Sequence, residues 1–319
     1  MAINQVQMQP GLSLVEFMQF YGTEAQCEAA LAASRWPDGF ACPACRCRLY
    51  TTFERAGRGY WQCRRCHHQT TVTAGTIFDS TKLALTVWFL AMHLLTQAKN
   101  NVSALELRRQ LGVSWRTAWR IKHKLMQVMA DRESKRQLSG RVEIDDAYLG
   151  GERAGEPGKR GRGSPNKIPF VMAVSTTADR KPHQVVIRCM SFQSEAVRDW
   201  ANASLSADTH AVSDGLPAFR VLRAEIQSHL TIVTGSGRAS AQHPEFKWVN
   251  IMLGNLKNAL AGTYHAFKFA KYAARYLADF QYRFNRRYNL RSILPRLLRA
   301  AATTRPWTEQ QLTTAELGT

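Results

Sequence analysis

The 319-residue chain predicts a multidomain protein of mixed α+β and α/β organisation: a small N-terminal ribbon, a helical middle and a larger α/β domain. Three observations carry this. Four cysteines fall in two C-x2-C pairs, Cys42/Cys45 and Cys63/Cys66, with seventeen residues between the pairs. Apolar residues recur at helical spacing on both sides of Gly112. From Arg141 onward the patterns run strand, strand, strand, helix, strand and, later, helix. A chain of this length holds two or three domains, one of them able to bury a sizeable core.

Charge narrows the partners. Lys and Arg number 43 against 24 acids, a formal charge of +19. That excess is far beyond what solubility requires and points to a polyanion, nucleic acid first. The first twenty residues lack the basic start and apolar core of a signal peptide. The most apolar run, Leu83 to Leu95, is too short to span a bilayer and reads as a buried helix, so no membrane partner is expected. Seven cysteines, four of them in C-x2-C pairs, fit metal binding in a reducing cytoplasm better than a disulfide framework.

Residues 1–38 form a helical preface. Thr23 with Gln26 reads as a capping box opening a helix through Ala33, which Pro37 and Gly39 break. Cys27 lies on its apolar face. Residues 39–75 form a zinc ribbon. Each C-x2-C turns tightly enough to present two thiolates, so Cys42, Cys45, Cys63 and Cys66 can close one tetrahedral zinc. Cys47 and His67 are near enough to compete, but the paired spacing favours the four. Tyr50–Phe53 and Gly59–Gln62 read as strands. Four protein ligands leave no open position, so this zinc is structural, with binding free energy on the order of 10 kcal/mol.

Residues 76–130 read as a helix-turn-helix domain. Ser103 caps one helix, Gly112 turns the chain and Ser114 caps a second, with Leu107, Leu111, Val113, Ala118 and Ile121 as the seam. Ser114–Met126 is the expected recognition helix. Its outer face is expected to offer Trp115, Arg116, Arg120, Lys122 and Lys124 to phosphates and guanine edges.

A charged linker, 131–140, leads into a domain at 141–302. R-V-E-I-D-D-A-Y-L reads as a strand, followed by a Gly-rich loop carrying Lys159, Arg160, Arg162 and Lys167, cations free to grip phosphates. Strands follow at Pro169–Thr176 and Gln184–Cys189, a helix at Ser194–Leu205, and a strand at His210–Val212 ending in Asp214. The helix Phe246–His265 comes next, with Asn250 and Lys257 seven residues apart on nearly one face, about 10.5 Å along its axis. Tyr276–Arg291 reads as an aromatic- and arginine-rich helix, with Arg283, Arg286 and Arg287 as DNA or fold contacts. Residues 303–319 read as a loose tail.

Asp145, Asp214, Asn250 and Lys257 together resemble the catalytic centre of DDE-superfamily bacterial transposases, most closely the ISXO-type insertion-sequence group. There Asn often stands for the third acid and a Lys follows seven residues on. The element order is that of an RNase H-like fold, whose first and fourth strands are neighbours, so the two acids would meet. Strict alternation would group Asp146 with Val142 and Ile144, but a strand buried on both faces leaves Asp145 and Asp146 undecided. The resemblance implies Asp145.

The resemblance further implies that Asp145, Asp214 and Asn250 hold two Mg2+ or Mn2+ ions for phosphodiester cleavage. Lys257 is expected to contact a phosphate near the cut end. The expected protein is a bacterial, nucleoid-associated transposase that binds terminal inverted repeats, cuts them and joins the 3′ ends to target DNA as a dimer or larger assembly. The competing classes are a repressor or domesticated relative without catalysis, made credible by Asn250, and a simple metal-dependent nuclease.

Overall fold

In the computed structural model, Ser13 and Thr23 each open a helix through a reciprocal capping box. Their hydroxyls accept the N–H groups of Glu16 and Gln26, whose side chains answer on the Ser13 and Thr23 amides. The structure describes residues 5–150, 167–233, 243–264 and 268–314. Lys159, Arg160 and Arg162 therefore lie outside the described residues. The chain divides into two units, Met1–Val128 with Arg286–Leu312 and Met129–Asn285 with Thr313–Thr319.

The first unit begins with α1 (Gln5–Met8), α2 (Leu14–Tyr21) and α3 (Glu24–Arg35). Cys27 and Leu31 are fully buried on α3. The strands β1 (Tyr50–Arg55), β2 (Arg58–Cys63) and β3 (Gln69–Thr70) form an antiparallel sheet in that order. β1 and β2 run longer than their apolar patterns suggest because Ala56 and Gly57 take φ of 52° and 69°. That two-residue geometry lets the strands pair up to the turn.

Helix α4 (Leu85–Gln97) has no side-chain cap from its own start; the Glu24 carboxylate accepts the N–H groups of Leu85 at 2.7 Å and Thr86 at 3.1 Å instead. Ser103 caps α5 (Ala104–Leu111), and Gly112 ends it with φ 65°, a conformation that costs any other residue. Ser114 accepts the Thr117 N–H at the start of α6 (Trp115–Glu133). Leu107, Ala118 and Ile121 of the expected seam are buried, while Leu111 and Val113 are half-buried. The helix runs seven residues past Met126, so its last turn falls in the stretch read as a linker, where Leu138 is also buried. A lone apolar residue in a charged stretch leaves no periodic signal.

Gln9 and Gln97 fix the backbone at Leu290, through Gln9 Oε1 at 3.0 Å and Gln97 Nε2 at 3.2 Å. After the short α8 (Leu222–Glu225), α9 (Lys247–Ala261) and α10 (Phe269–Asn285) of the second unit, the chain adds α11 (Ile293–Thr303), whose buried face includes Ile293, Leu294, Leu297 and Leu298. The segment read as a loose tail holds one more helix, α12 (Glu309–Thr313), anchored by fully buried Leu312.

The second unit is built on five strands: β4 (Arg141–Gly150), β5 (Lys167–Thr176), β6 (Pro182–Cys189), β7 (His210–Ser213) and β8 (Ser228–Thr231). Their order is β6-β5-β4-β7-β8, with β4, β5 and β6 antiparallel and β4, β7 and β8 parallel. β8 is not among the strands expected from the sequence; it is four residues long, and its Leu230 is exposed. Val142 and Ile144 pack with Val171, Ala173 and Val186 against Val197, Trp200 and Ala201 of α7 (Ser194–Ser204). Alternation turns Glu143 and Asp145 to the other face.

The β6 edge is closed by amide side chains. Asn285 accepts the Val185 N–H at 2.8 Å and donates to the Val185 carbonyl at 2.9 Å, and Gln281 accepts the Ile187 N–H at 2.9 Å. Both amides also donate to buried Glu133, which pairs with Arg136 at 2.7 Å. Three backbone groups of this edge strand are thereby satisfied without another strand.

Candidate functional site

Across the parallel pair β4 and β7, Ile144 stands opposite Ser213. The next residue on each side is Asp145 and Asp214, so strands far apart in sequence deliver two carboxylates to one place. Carboxylate oxygens of Asp145, Asp146 and Asp214 all lie within 4.8 Å of one another, each residue half-buried. Asp145 Oδ1 accepts the Asp146 N–H at 2.9 Å, and Asp214 Oδ1 accepts the Leu216 N–H at 3.1 Å. Burial, then the charges of Asp214 and Asp146, push Asp145 up to about 7, against the opposing Asp146 amide and Lys257. Such crowding is relieved by a hard cation with oxygen ligands, so the donor set fits a divalent metal.

Asp145 and Asp146 line a cleft of about 1080 Å³ together with Lys167, Asn250, Gly254 and Lys257. The last three recur at i, i+4 and i+7 on α9 and so share one face of it. A Cβ placed on Gly254 would meet nothing within 4 Å. The structure thus brings Asp145, Asp214, Asn250 and Lys257 into one region, and it adds Asp146, which alternation did not separate from Asp145. Two further acids of this unit are held by arginines: Glu245 by Arg141 at 2.6 Å and Arg180 at 3.0 Å, and Asp279 by Arg283 at 3.2 Å.

The sulfurs of Cys42, Cys45, Cys63 and Cys66 also lie within 4.8 Å of one another. Cys42 is 3.6 Å from Cys66, and Cys45 is 3.6 Å from Cys63. Bonds of 2.3 Å in a tetrahedron separate sulfurs by about 3.8 Å, so the thiols fit a structural zinc. The two knuckles repeat one design. The N–H groups of Arg46 and His67 donate to the carbonyls of Cys42 and Cys63, and the N–H groups of Cys42 and Cys63 donate to the carbonyls of Cys47 and His68. Arg46 and His67 take φ of 63° and 55°. His67 therefore serves the turn, and Cys47 corresponds in position to His68 of the other knuckle. Backbone N–H groups of Cys66 and Arg65 help hold Cys63 down at about 6.

The basic face of α6 is smaller than its sequence suggests. Trp115 is 55% exposed, and Arg116 and Arg120 both pair with Glu309. Lys122, expected on the outer face, is instead buried at 1% exposure. It falls four residues after Ala118 and four before Met126, on the buried seam. Lys124 is half-buried and donates to the Ile77 carbonyl at 2.8 Å. Arg283 pairs with Asp279, Arg286 is buried, and Arg287 stacks 4.2 Å over the Tyr288 ring. These three arginines make fold contacts.

Sequence comparison bears on both the four-cysteine ribbon and the acids clustered on adjoining strands. Residues 137–285 match the ISXO2-like transposase domain, and residues 22–69 match the transposase zinc-ribbon domain. The chain thus holds a match to each of two transposase domain models. It is similar, at 30% identity over 177 residues and 50% of its own length, to an uncharacterized protein in transposable element ISH50 of Halobacterium salinarum. The match spans 57% of that relative's length. Among the described residues no helix is long and apolar enough to cross a membrane.

Proposed function

We propose that the protein is an insertion-sequence transposase whose second unit, RNase H-like in element order, cuts DNA at the element's terminal inverted repeats. The carrying observation is the meeting of Asp145 and Asp214 across β4 and β7, with Asp145 lining a cleft together with Asn250 and Lys257. Asp145, Asp214 and Asn250 would hold two Mg2+ or Mn2+ ions, the amide oxygen of Asn250 serving as a neutral ligand. When bound, such ions activate the attacking oxygen and stabilise the leaving one. Water attacks phosphorus, the P–O3′ bond breaks, and a 3′ hydroxyl and a 5′ phosphate result. That hydroxyl would then attack a target phosphodiester in the same site, forming a new P–O3′ bond as the target's own P–O3′ bond breaks and its 3′ oxygen leaves as a hydroxyl. Lys257, two helical turns from Asn250, neutralises a phosphate near the cut end.

The helices around Gly112 act in this reading as a helix-turn-helix that grips the repeats, with the zinc ribbon beside it in sequence as a second DNA-binding module. Strand transfer requires two ends held together, so a dimer or larger assembly forms on DNA. Asn250 in place of an acid favours one other reading, a repressor or domesticated relative that binds ends without cutting. A plasmid excision and integration assay in Mg2+ or Mn2+ decides. Excision with integration supports the transposase, cutting without joining supports a simple nuclease, and binding without cutting supports the repressor.

A further inference from the structure

Helix α9 starts without a side-chain cap of its own; Phe246 stands at that position. Its first amides go to another element. Glu143 Oε2 accepts the N–H of Trp248 at 2.7 Å and of Val249 at 3.0 Å, more than a hundred residues along the chain. Glu143 Oε1 accepts from Arg141 Nη1 at 2.9 Å, and Arg141 Nη2 reaches Glu245 at 2.6 Å, just before the helix. Arg180 completes the frame: its guanidinium holds Glu245 at 3.0 Å, and its carbonyl accepts the Trp248 indole N–H at 2.5 Å. Glu143 is 1% exposed. A buried carboxylate persists only with its oxygens satisfied, and here both are used.

The position of this clamp gives it consequence. Glu143 precedes Asp145 by two residues on β4, about 6.7 Å away on the same face. On the helix, the clamped Val249 is followed directly by Asn250. One side chain therefore ties the strand bearing Asp145 to the turn bearing Asn250, and a negative charge at a helix N-terminus is favourable.

We infer that Glu143 is a positioning residue: it sets Asn250 across from Asp145 and so fixes the geometry of the divalent-cation site. It touches neither cation nor DNA. This rests on the proposed metal-dependent function, and the test separates the two. Mn2+ binding to the full-length protein is titrated by electron paramagnetic resonance, without DNA and without turnover. Glu143→Gln removes the charge that Arg141 and two helix amides converge on, and is expected to weaken Mn2+ binding about tenfold, as loss of a supporting residue behind metal ligands does. Glu143→Asp keeps the charge at shorter reach and should recover part of that loss. Arg141→Gln, which frees Glu143 without removing it, should give a smaller loss in the same direction and serves if Glu143→Gln does not fold. Hydrogen exchange at Trp248 and Val249 should accelerate in step with the loss of binding. A parent that binds Mn2+ with folded variants that bind it equally well overturns the positioning role alone. A parent that binds none overturns the proposed metal chemistry itself.

Discussion

Arg116 Nε lies 2.8 Å from Glu309 Oε1, so a carboxylate from the last described helix sits on the basic face of α6 and also engages Arg120. A phosphate would compete for the same guanidinium groups. Exposed pairs of this kind are weak and screened by salt. Glu309→Gln is expected to raise affinity for repeat DNA roughly two- to fivefold at low salt, with the gain fading as salt rises. Anisotropy titration reads this, with Arg116→Ala and Arg120→Ala weakening binding. Weaker binding by Glu309→Gln would mean the carboxylate orients the arginines instead.

One tightly bound zinc per chain is expected. The double variant Cys63→Ser, Cys66→Ser should lose it and unfold the ribbon, while Cys27→Ser, Cys47→Ser and Cys189→Ser keep it. Among the described residues, neither Cys27 nor Cys189 belongs to the cluster of four sulfurs. Elemental analysis of the purified variants checks the assignment; stoichiometric zinc in the double variant would refute it.

Asn250→Ala, Asp145→Ala and Asp214→Ala should each abolish cleavage of repeat DNA while leaving folding and DNA binding intact. Asp146→Ala should be milder, although its carboxylate belongs to the same cluster. Lys257→Ala should lose engagement of the cut end more than metal affinity. Cleavage by Asn250→Ala at the parent's rate would remove it as the third ligand.

Gly254 lies inside α9, where glycine costs about 1 kcal/mol relative to alanine. The protein's own packing does not demand it, since an added Cβ meets nothing within 4 Å. Facing the cleft between Asn250 and Lys257, it leaves open space that a DNA backbone would take in the proposed function. Gly254→Ala should therefore raise thermal stability by about 2–4 °C while lowering cleavage. Unchanged cleavage would show that DNA does not approach this face.

Asp145 ionises at about 7 in the folded chain and near 4 when unfolded. Between these values the folded state holds the extra proton, so stability should fall as pH rises from 4 to 7 in the absence of divalent cations. The loss attributable to this half-buried group is on the order of 1–3 kcal/mol. Denaturant unfolding across this range should show it, and Asp145→Asn should flatten the profile.

Much of this protein is local in origin and legible in its sequence. Thr23 and Gln26 make their capping box, Gly112 turns the chain, and each C-x2-C pair forms its knuckle, because each depends on residues a few positions apart. Asp145 and Asp214 could be singled out by pattern and family likeness, but their meeting depends on β7 pairing in parallel with β4. Only the tertiary structure decided that Lys122 is buried, that Asp146 joins the acids, that Glu309 covers two arginines and that Glu143 caps α9. The physical reason is common to all four: a helical or strand period specifies which residues share a face, whereas the partner that face meets is supplied by distant chain. A buried charge such as Glu143 looks like any solvated acid until Arg141 and the Trp248 amide are seen around it.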